Sequence, residues 1–335
     1  MAQSATNVLV ALMRETVFGT PATPVTGADR FRLIDSAGLK LSRANIVSQE
    51  RRSDQLENIG RLGGISIEGV INSEINPGGD FDLLIEDLVR GTWGALGENT
   101  DIDAGGVGVG TEVREVDTPA TPIYRSYTIE QYDIDIDQSE LFTGMRLTQA
   151  DFSLQPGEMA NISWRFQGQN RQVLQTAASP YFTAPDLTAG LPLIADDAVI
   201  TYQGSPILVA TGLNFTQQTD AAGQPVIGSF LSPDVFMNMH RINGTISAVR
   251  EDLDALDDFD AETEFELKVV MQAPTAPPRL TFAFIMPVVK IRDIDANLIG
   301  GDAAKVETRQ FAAHPEPSLS NAIQYYSSTE TPIIV

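Results

Sequence analysis

The 335-residue sequence predicts a mainly β protein made of two similar β-sandwich or barrel units, each with one short flanking α-helix. Three observations carry that prediction. Most periodic segments alternate with period two and are rich in Ile, Val, Phe and Thr. Gly, Pro, Asn and Asp bound these segments, as turn geometry requires. The order strand, long loop, strand, helix, strands also occurs twice, and a chain of this length has room for about two ordinary domains, each with its own core.

Taken in order, the first unit is expected over residues 1–174. Its strands begin with "FRLID", "GLKLS" and "GISIEGVI". "GDFDLLIEDLVRG" then reads as a helix: Asp80 can cap it, Phe81, Leu84, Ile85 and Leu88 fall on one face, and Gly91 stops it. A loop insertion is expected at about 98–122, followed by the strands "RSYTIEQY", "MRLTQADFSL" and "MANISWRFQG". Residues 175–199 read as a linker. The second unit, 200–312, offers "GLNFTQQ" and "RINGTISAV", then "REDLDALDDFDAE" with Leu253, Leu256 and Phe259 at helical spacing. "EFELKVV", the loop "QAPTAPPR" and "LTFAFIMPVVKI" complete it, and residues 313–335 are left as a C-terminal tail.

The repeat becomes concrete when Gly69 is set against Gly244. "ISIEGVINS" then lies beneath "RINGTISA", with Ile67 on Ile242 and Ile71 on Ile246. Upstream, "GLKLS" resembles "GLNFT", which puts Leu39 on Leu213. A duplicated chain can place two similar units where a ring would otherwise need two subunits, so three copies could imitate sixfold symmetry.

Charge narrows the function. Twenty-two Lys and Arg against 45 Asp and Glu give a net charge of -23 and a pI near 4.3, and such a surface repels phosphate. Charge-driven or sequence-specific nucleic-acid binding is therefore not expected. There is no cysteine, which excludes disulfides, thiolate metal sites and thiol catalysis. The apolar run Val8 to Met13 has no basic region before it and is too short for a signal or spanning segment, so folding in a cytoplasm is the expectation.

Motifs for catalysis, cofactors or metals are weak. His240 and His314 stand in unrelated contexts without metal-ligand spacing, and both read as structural or surface residues. "GGVGVG" at 105–110 lacks the dinucleotide-loop spacing, and "GGDAAK" at 300–305 lacks the P-loop pattern. "DIDID" at 133–137 has Gln138 where an EF-hand loop needs glycine and Gly144 where it needs glutamate. It reads as an acidic strand with Ile134 and Ile136 pointing inward. Trp93 and Trp164 read as core residues, and Asn161, Asn214 and Asn243 as strand residues rather than glycan sites.

Three stretches together carry a resemblance: "RETVFGTPATP", "SQERRSDQLENIGRLGGISIEGVINSEI" and "DFDLLIEDLVRGTW". With the central strands from "RSYTIEQY" to "FQGQN" and the later "RINGTISAVREDLDALDDFDAETEFELKVV", they resemble the tail tube proteins of long, non-contractile phage tails. The resemblance implies β-sandwich-like units whose strands join those of neighbours into a ring-shaped, multi-chain β-barrel. Rings stack into a tube that conducts DNA, and the tape-measure protein before it, from capsid to host. The implied place is the virion tail, after synthesis in the host cytoplasm. Implied partners are further copies of the chain, the tape-measure protein, the tail terminator and the tail-tip proteins, with no membrane, cofactor or catalytic role. The insertion at 98–122 and the residues after Val306 depart from the family pattern.

Under that reading the polar faces of the repeated strands are the expected channel lining: Ser66, Glu68, Asn72 and Glu74 in the first, Asn243, Thr245 and Ser247 in the second, beside Arg241. The loops Gln49 to Gly60 and Gln218 to Pro233 are expected at ring–ring contacts, with Arg51, Arg52 and Asp54 as candidates. Rings of three duplicated chains are expected, with six chains of one tube domain plus an accessory domain each as the structural alternative. A secreted or surface β-sandwich adhesin that binds carbohydrate is the functional alternative.

Overall fold

A computed structural model describes residues 3–34, 38–51, 53–56, 58–95, 97–98, 112–119, 121–188, 190–207, 209–273, 280–295, 304–316 and 322–327. The first set of principal strands is β1 (Val8–Arg14), β2 (Gly38–Ile46), β3 (Arg61–Glu74), β4 (Tyr127–Asp133), β5 (Gln138–Leu154), β6 (Asn161–Gly168) and β7 (Asn170–Gln175). Helix α1 (Gly79–Leu88) lies between β3 and β4. The second set is β8 (Ala198–Tyr202), β9 (Ala210–Gly223), β10 (Val235–Val249), β11 (Phe265–Gln272), β12 (Thr281–Asp295), β13 (Val306–His314) and β14 (Gln324–Ser327). Helix α2 (Asp254–Asp260) lies between β10 and β11.

Antiparallel pairing joins eight of these strands into one sheet in the order β2–β3–β6–β5–β9–β10–β13–β12. The first four and the last four have the same internal order. The long strands β5 and β12 change partners midway. The first part of β5 lies between β4 and β7, with β1 beyond β4. The first part of β12 lies between β11 and β14, with β8 beyond β11. Each strand of the first set thus has a counterpart seven places later.

Register makes the correspondence residue by residue. Bulges interrupt β2–β3 between Arg43 and Asn45, and β9–β10 between Thr219 and Ala221. They interrupt β4–β5 between Tyr127 and Ile129, and β11–β12 between Phe265 and Leu267. A third pair falls opposite Phe166 on β6 and Phe311 on β13. Because each bulge re-aims the strand that carries it, matching bulges are stronger signs of a shared plan than matching alternation. They also correct one expected alignment. Gly69 pairs with Leu39 and Gly244 with Phe215, so Leu39 corresponds to Phe215 and not to Leu213. A two-residue slip leaves every side chain on its face, so the alternation alone could not detect it.

Gly69 and Gly244 occupy equivalent tight crossings. A Cβ on Gly69 would sit 2.2 Å from the Gly38 carbonyl oxygen, and one on Gly244 2.6 Å from that of Asn214. Backbone lies too close on that side for any side chain.

One hydrophobic cluster runs through both sets, which differs from the expected pair of separate cores. Phe152 of β5 stacks on Phe215 of β9, with ring centroids 4.3 Å apart, and Tyr325 of β14 lies 6.0 Å from Phe152. Aromatic burial at the junction thus continues the core from one set to the other.

Other expectations change with the contacts. Asp80 is not the cap: Gly78 takes that position, and Asp80 is buried in the helix's first turn. The helix ends with left-handed Arg90 ahead of Gly91, whose N–H bonds to the Glu86 carbonyl at 2.9 Å. Residues 134–137 form the β4–β5 turn and Ile134 is exposed, so "DIDID" does not continue as a strand. The expected linker is packed, with Phe182 and Leu193 buried and the Phe182 N–H bonded to Glu130 at 2.9 Å. The expected loop from Gln218 begins as strand, since β9 runs to Gly223. Within the expected insertion, Glu112–Asp117 is a strand that pairs with β14. The expected tail supplies that buried strand, β14. No helix among the described residues is long and apolar enough to cross a membrane.

Candidate assembly edges and channel face

The eight-strand sheet has an apolar face turned to the core and a polar face turned to solvent. Cross-strand register gathers the polar side chains into rows. One row runs Asn72, Ser163, Asp151, Thr216, Asn243, Ala312, Lys290. The next runs Glu74, Asn161, Ser153, Asn214, Thr245, Gln310, Asp293. The fold therefore places Asn72 in one row with Asn243, and Glu74 with Thr245, across five strands. Ser66 pairs with Ser42, Glu68 with Lys40, and Ser247 with Thr308, all on the same face. Lys40, Ser42, Ser66, Glu68, Asn214, Asp293 and Gln310 are exposed, Ala312 is buried, and the rest are half-buried in the groove that their neighbours form.

That face is dished. A depression of about 560 Å³ is lined by Asp151, Ser163, Thr216, Asn243 and Thr245 among others, and a second of about 360 Å³ by Glu68, Gln149, Arg165 and Gln218 among others. Its charges are mixed. Lys40 stands opposite Glu68, and Arg241 is paired with Asp220 at 2.9 Å, so the one cation foreseen there is not left open. The residues of β5 and β6 on this face were not among the expected channel lining. Gln149, Asp151 and Ser153 alternate in "TQADFSL", as do Asn161, Ser163 and Arg165 in "NISWRF", and that period was the available signal.

At one end of the sheet the hairpins β2–β3 and β9–β10 project equivalent tips. Arg51 and Asp54 are exposed there, and Asp54 accepts the Leu56 N–H at 3.2 Å. Arg52 lies outside the described residues. The two tips also expose apolar side chains, Leu56, Ile59 and Leu62 on one and Ile227, Phe230 and Met239 on the other.

Opposite the sheet, α1 carries buried acids held by basic side chains from distant segments. Glu86 pairs with Arg14, and Asp82 with Arg114. The indole N–H of Trp93 donates to the Asp82 carbonyl at 2.9 Å. Burial pushes the Asp80 carboxyl up to about 7, and nearby Asp29 adds to that shift. Burial raises Asp87 to about 7 as well, against the pull of Arg125 and Arg14. Burial lowers His240 to about 4, and Arg90 lowers it further. These are packing consequences: each acid points into covered structure and away from the dished face.

A profile of the family described as phage tail tube protein matches residues 5–313. The chain belongs to the phage tail tube proteins. Tail tube proteins are structural parts of the virion tail and assemble with their own kind into a tube, which fits a sheet whose two end strands each have an edge with no described strand on it. A comparison with curated proteins finds no match.

Proposed function

We propose that the dished polar face of the eight-strand sheet lines the channel of a tail tube, and that each chain supplies two successive wall segments. The division falls between Gln175 and Ala198, where the second run of equivalent strands begins. Three chains then close a ring of pseudo-sixfold shape, and rings stack through the hairpin tips that carry Arg51, Arg52 and Asp54. The observation that carries this reading is the repeated strand order together with the β5–β9 pairing, which already joins one wall segment to the next inside a single chain.

DNA passes along this wall without being held. A polar face on which cations stand beside carboxylates offers no net run of positive charge to release the counterions of DNA. The tape-measure protein fills the same channel before DNA does, and terminator and tail-tip proteins cap the two ends. Electron microscopy of the purified, concentrated chain tests the reading: stacked rings of about three chains are expected from closed symmetry. Rings of six would retain the conduit and overturn the doubled wall. Monomers that persist after addition of a tail-tip complex would overturn the conduit itself.

A further inference from the structure

The β5–β9 junction has two unfilled counterparts, one at each end of the sheet. The edge of β5 from Gln149 to Leu154 is covered by β9. The equivalent edge of β12, reaching Asp293–Asp295, has no described strand on it. β9 is covered by β5 over Leu213–Gln218, whereas the equivalent edge of β2 has no described strand on it either. One edge is therefore the counterpart of a strand that accepts, and the other of a strand that inserts.

We propose that the β2 edge of one copy pairs antiparallel with the β12 edge of the next, in the register of the internal junction. This rests on the ring reading above and specifies it. Lys40 faces Glu68 as Thr216 faces Asn243, so Lys40 takes the place of Thr216. Asp295 faces Thr308 as Asp151 faces Ser163, so Asp295 takes the place of Asp151. Inside the chain Thr216 pairs with Asp151, and its hydroxyl donates to the carboxylate at 2.5 Å. Between copies the same register sets Lys40 opposite Asp295, Leu41 opposite Ile294 and Ser42 opposite Asp293.

Three features agree with that register. It opposes a cation to an anion at the position where the internal junction has a donor and a carboxylate. It keeps half-buried Leu41 and Ile294 on the core side while the polar four remain on the dished face, an arrangement that a one-residue slip would invert. The β2 edge is also competent to bond outward: the Gln131 side chain accepts from the Leu39 N–H at 3.0 Å and donates to the Leu39 carbonyl at 3.1 Å, as a neighbouring strand's peptide would. On β11 the equivalent residue is Val269, which cannot do this, and the edge of β9 that corresponds to this β2 edge is already covered by β5. Head-to-tail contacts of this kind form a ring when the rotation closes.

The absence of native cysteine makes disulfide mapping free of background. S42C/D293C, which keeps the Lys40–Asp295 pair, and K40C/D295C are expected to give covalent ladders ending in a closed ring under mild oxidation. The slipped pair S42C/D295C is expected to give none. K40E alone and D295K alone are expected to lower ring formation several-fold, and K40E/D295K to recover it, with circular dichroism confirming that each variant folds. Rings from the unmodified chain, without cross-links at the in-register pairs or with equal cross-links at the slipped pair, would overturn this register and leave the ring. If the unmodified chain forms no ring even with a tail-tip complex, the ring reading falls, and this inference with it.

Discussion

The two helices occupy equivalent places and do different things. Each follows the second strand of a hairpin, each packs near a long strand, β5 or β12, and each ends in the same way. Gly91 N–H bonds to Glu86 and Arg90 N–H to Asp87 in α1; Thr263 bonds to Asp258 and Glu262 to Phe259 in α2. Matching those ends sets Phe81 on Leu253, Leu84 on Leu256, Ile85 on Asp257 and Leu88 on Asp260. The first residue of each pair is buried in α1. In α2 Leu253 is 59% exposed, and Ala255 alone is buried. The strand beneath changes in concert. β6 presents Ile162 and Trp164, whereas β13 presents Glu307 and Arg309 at those positions. A duplicated plan thus keeps its backbone hydrogen bonding while the apolar pair on β6 gives way to an ion-paired one on β13.

The largest expected effect breaks the apolar copy. Phe81 meets Trp164 edge-on at 5.8 Å and Phe282 at 4.9 Å, and both Phe81 and Trp164 are buried. Trp164→Ala is expected to cost about 3–5 kcal/mol and Phe81→Ala a similar amount, read as a lower urea midpoint at unchanged slope. The ion-paired copy is expected to fail as severely when half removed. Glu307 is 1% exposed and holds Arg309 at 2.6 Å and Arg250 at 3.2 Å. Glu307→Ala leaves two covered guanidinium groups with their shared anion gone, at a cost of about 3–5 kcal/mol. Installing the other copy's residues together, Glu307→Ile with Arg309→Trp, is expected to be near neutral or to stabilise, because a packed apolar pair avoids charge desolvation. A double variant as unstable as Glu307→Ala would show that α2 cannot accept an apolar floor.

This contrast also separates what was legible from what was not. Period-two strands, both helices, the Gly69–Gly244 match and the polar faces of β3 and β10 follow from residue pattern, because alternation fixes which side chains share a face. The β5–β9 pairing does not, since it joins strands far apart in sequence through backbone groups that every residue carries. Nor was the difference between the helices visible as such: Leu253, Leu256 and Phe259 have helical spacing, yet Asp257 and Asp260 stand where α1 has Ile85 and Leu88. Strand β14 was missed because four residues, "QYYS", are too few to show a period. The burial of α1's acids was not legible either, because Arg14 and Arg114, which pair with Glu86 and Asp82, come from distant segments.

Acidity offers a third, smaller way to separate the two copies. Asp80 titrates near 7 when folded, because it is covered, against about 4 in an unfolded chain. A carboxyl whose folded value is raised contributes its stability below about pH 4, and that contribution is lost as pH rises through 7. Asp87 acts in the same direction, while His240, lowered to about 4, favours the folded state at higher pH and loses its share as pH falls from 6.5. Comparing Asp80→Asn with the parent cancels the terms they share. The variant is expected to lose less stability between pH 5 and pH 8, in urea midpoints measured at each pH. Asp252 is the α2 counterpart of Asp80 and is exposed, so Asp252→Asn is expected to leave the pH profile unchanged. Equal flattening by both would show that net charge, and not burial, sets the slope.

The smallest effect is the sharpest test of the comparison. Leu253 holds the position of Phe81, has the same hairpin before it and a comparable helix end after it, yet faces solvent. If equivalence of backbone placement decided energetics, Leu253→Ala would cost kilocalories, as Phe81→Ala does. If burial decides, the change should stay within about 0.5 kcal/mol, the range of surface substitutions away from structural contacts. The second outcome is expected for the chain in solution. A loss above 2 kcal/mol, far outside the surface range, would mean that α2 is packed in the free chain as α1 is, and the contrast between the two copies would collapse.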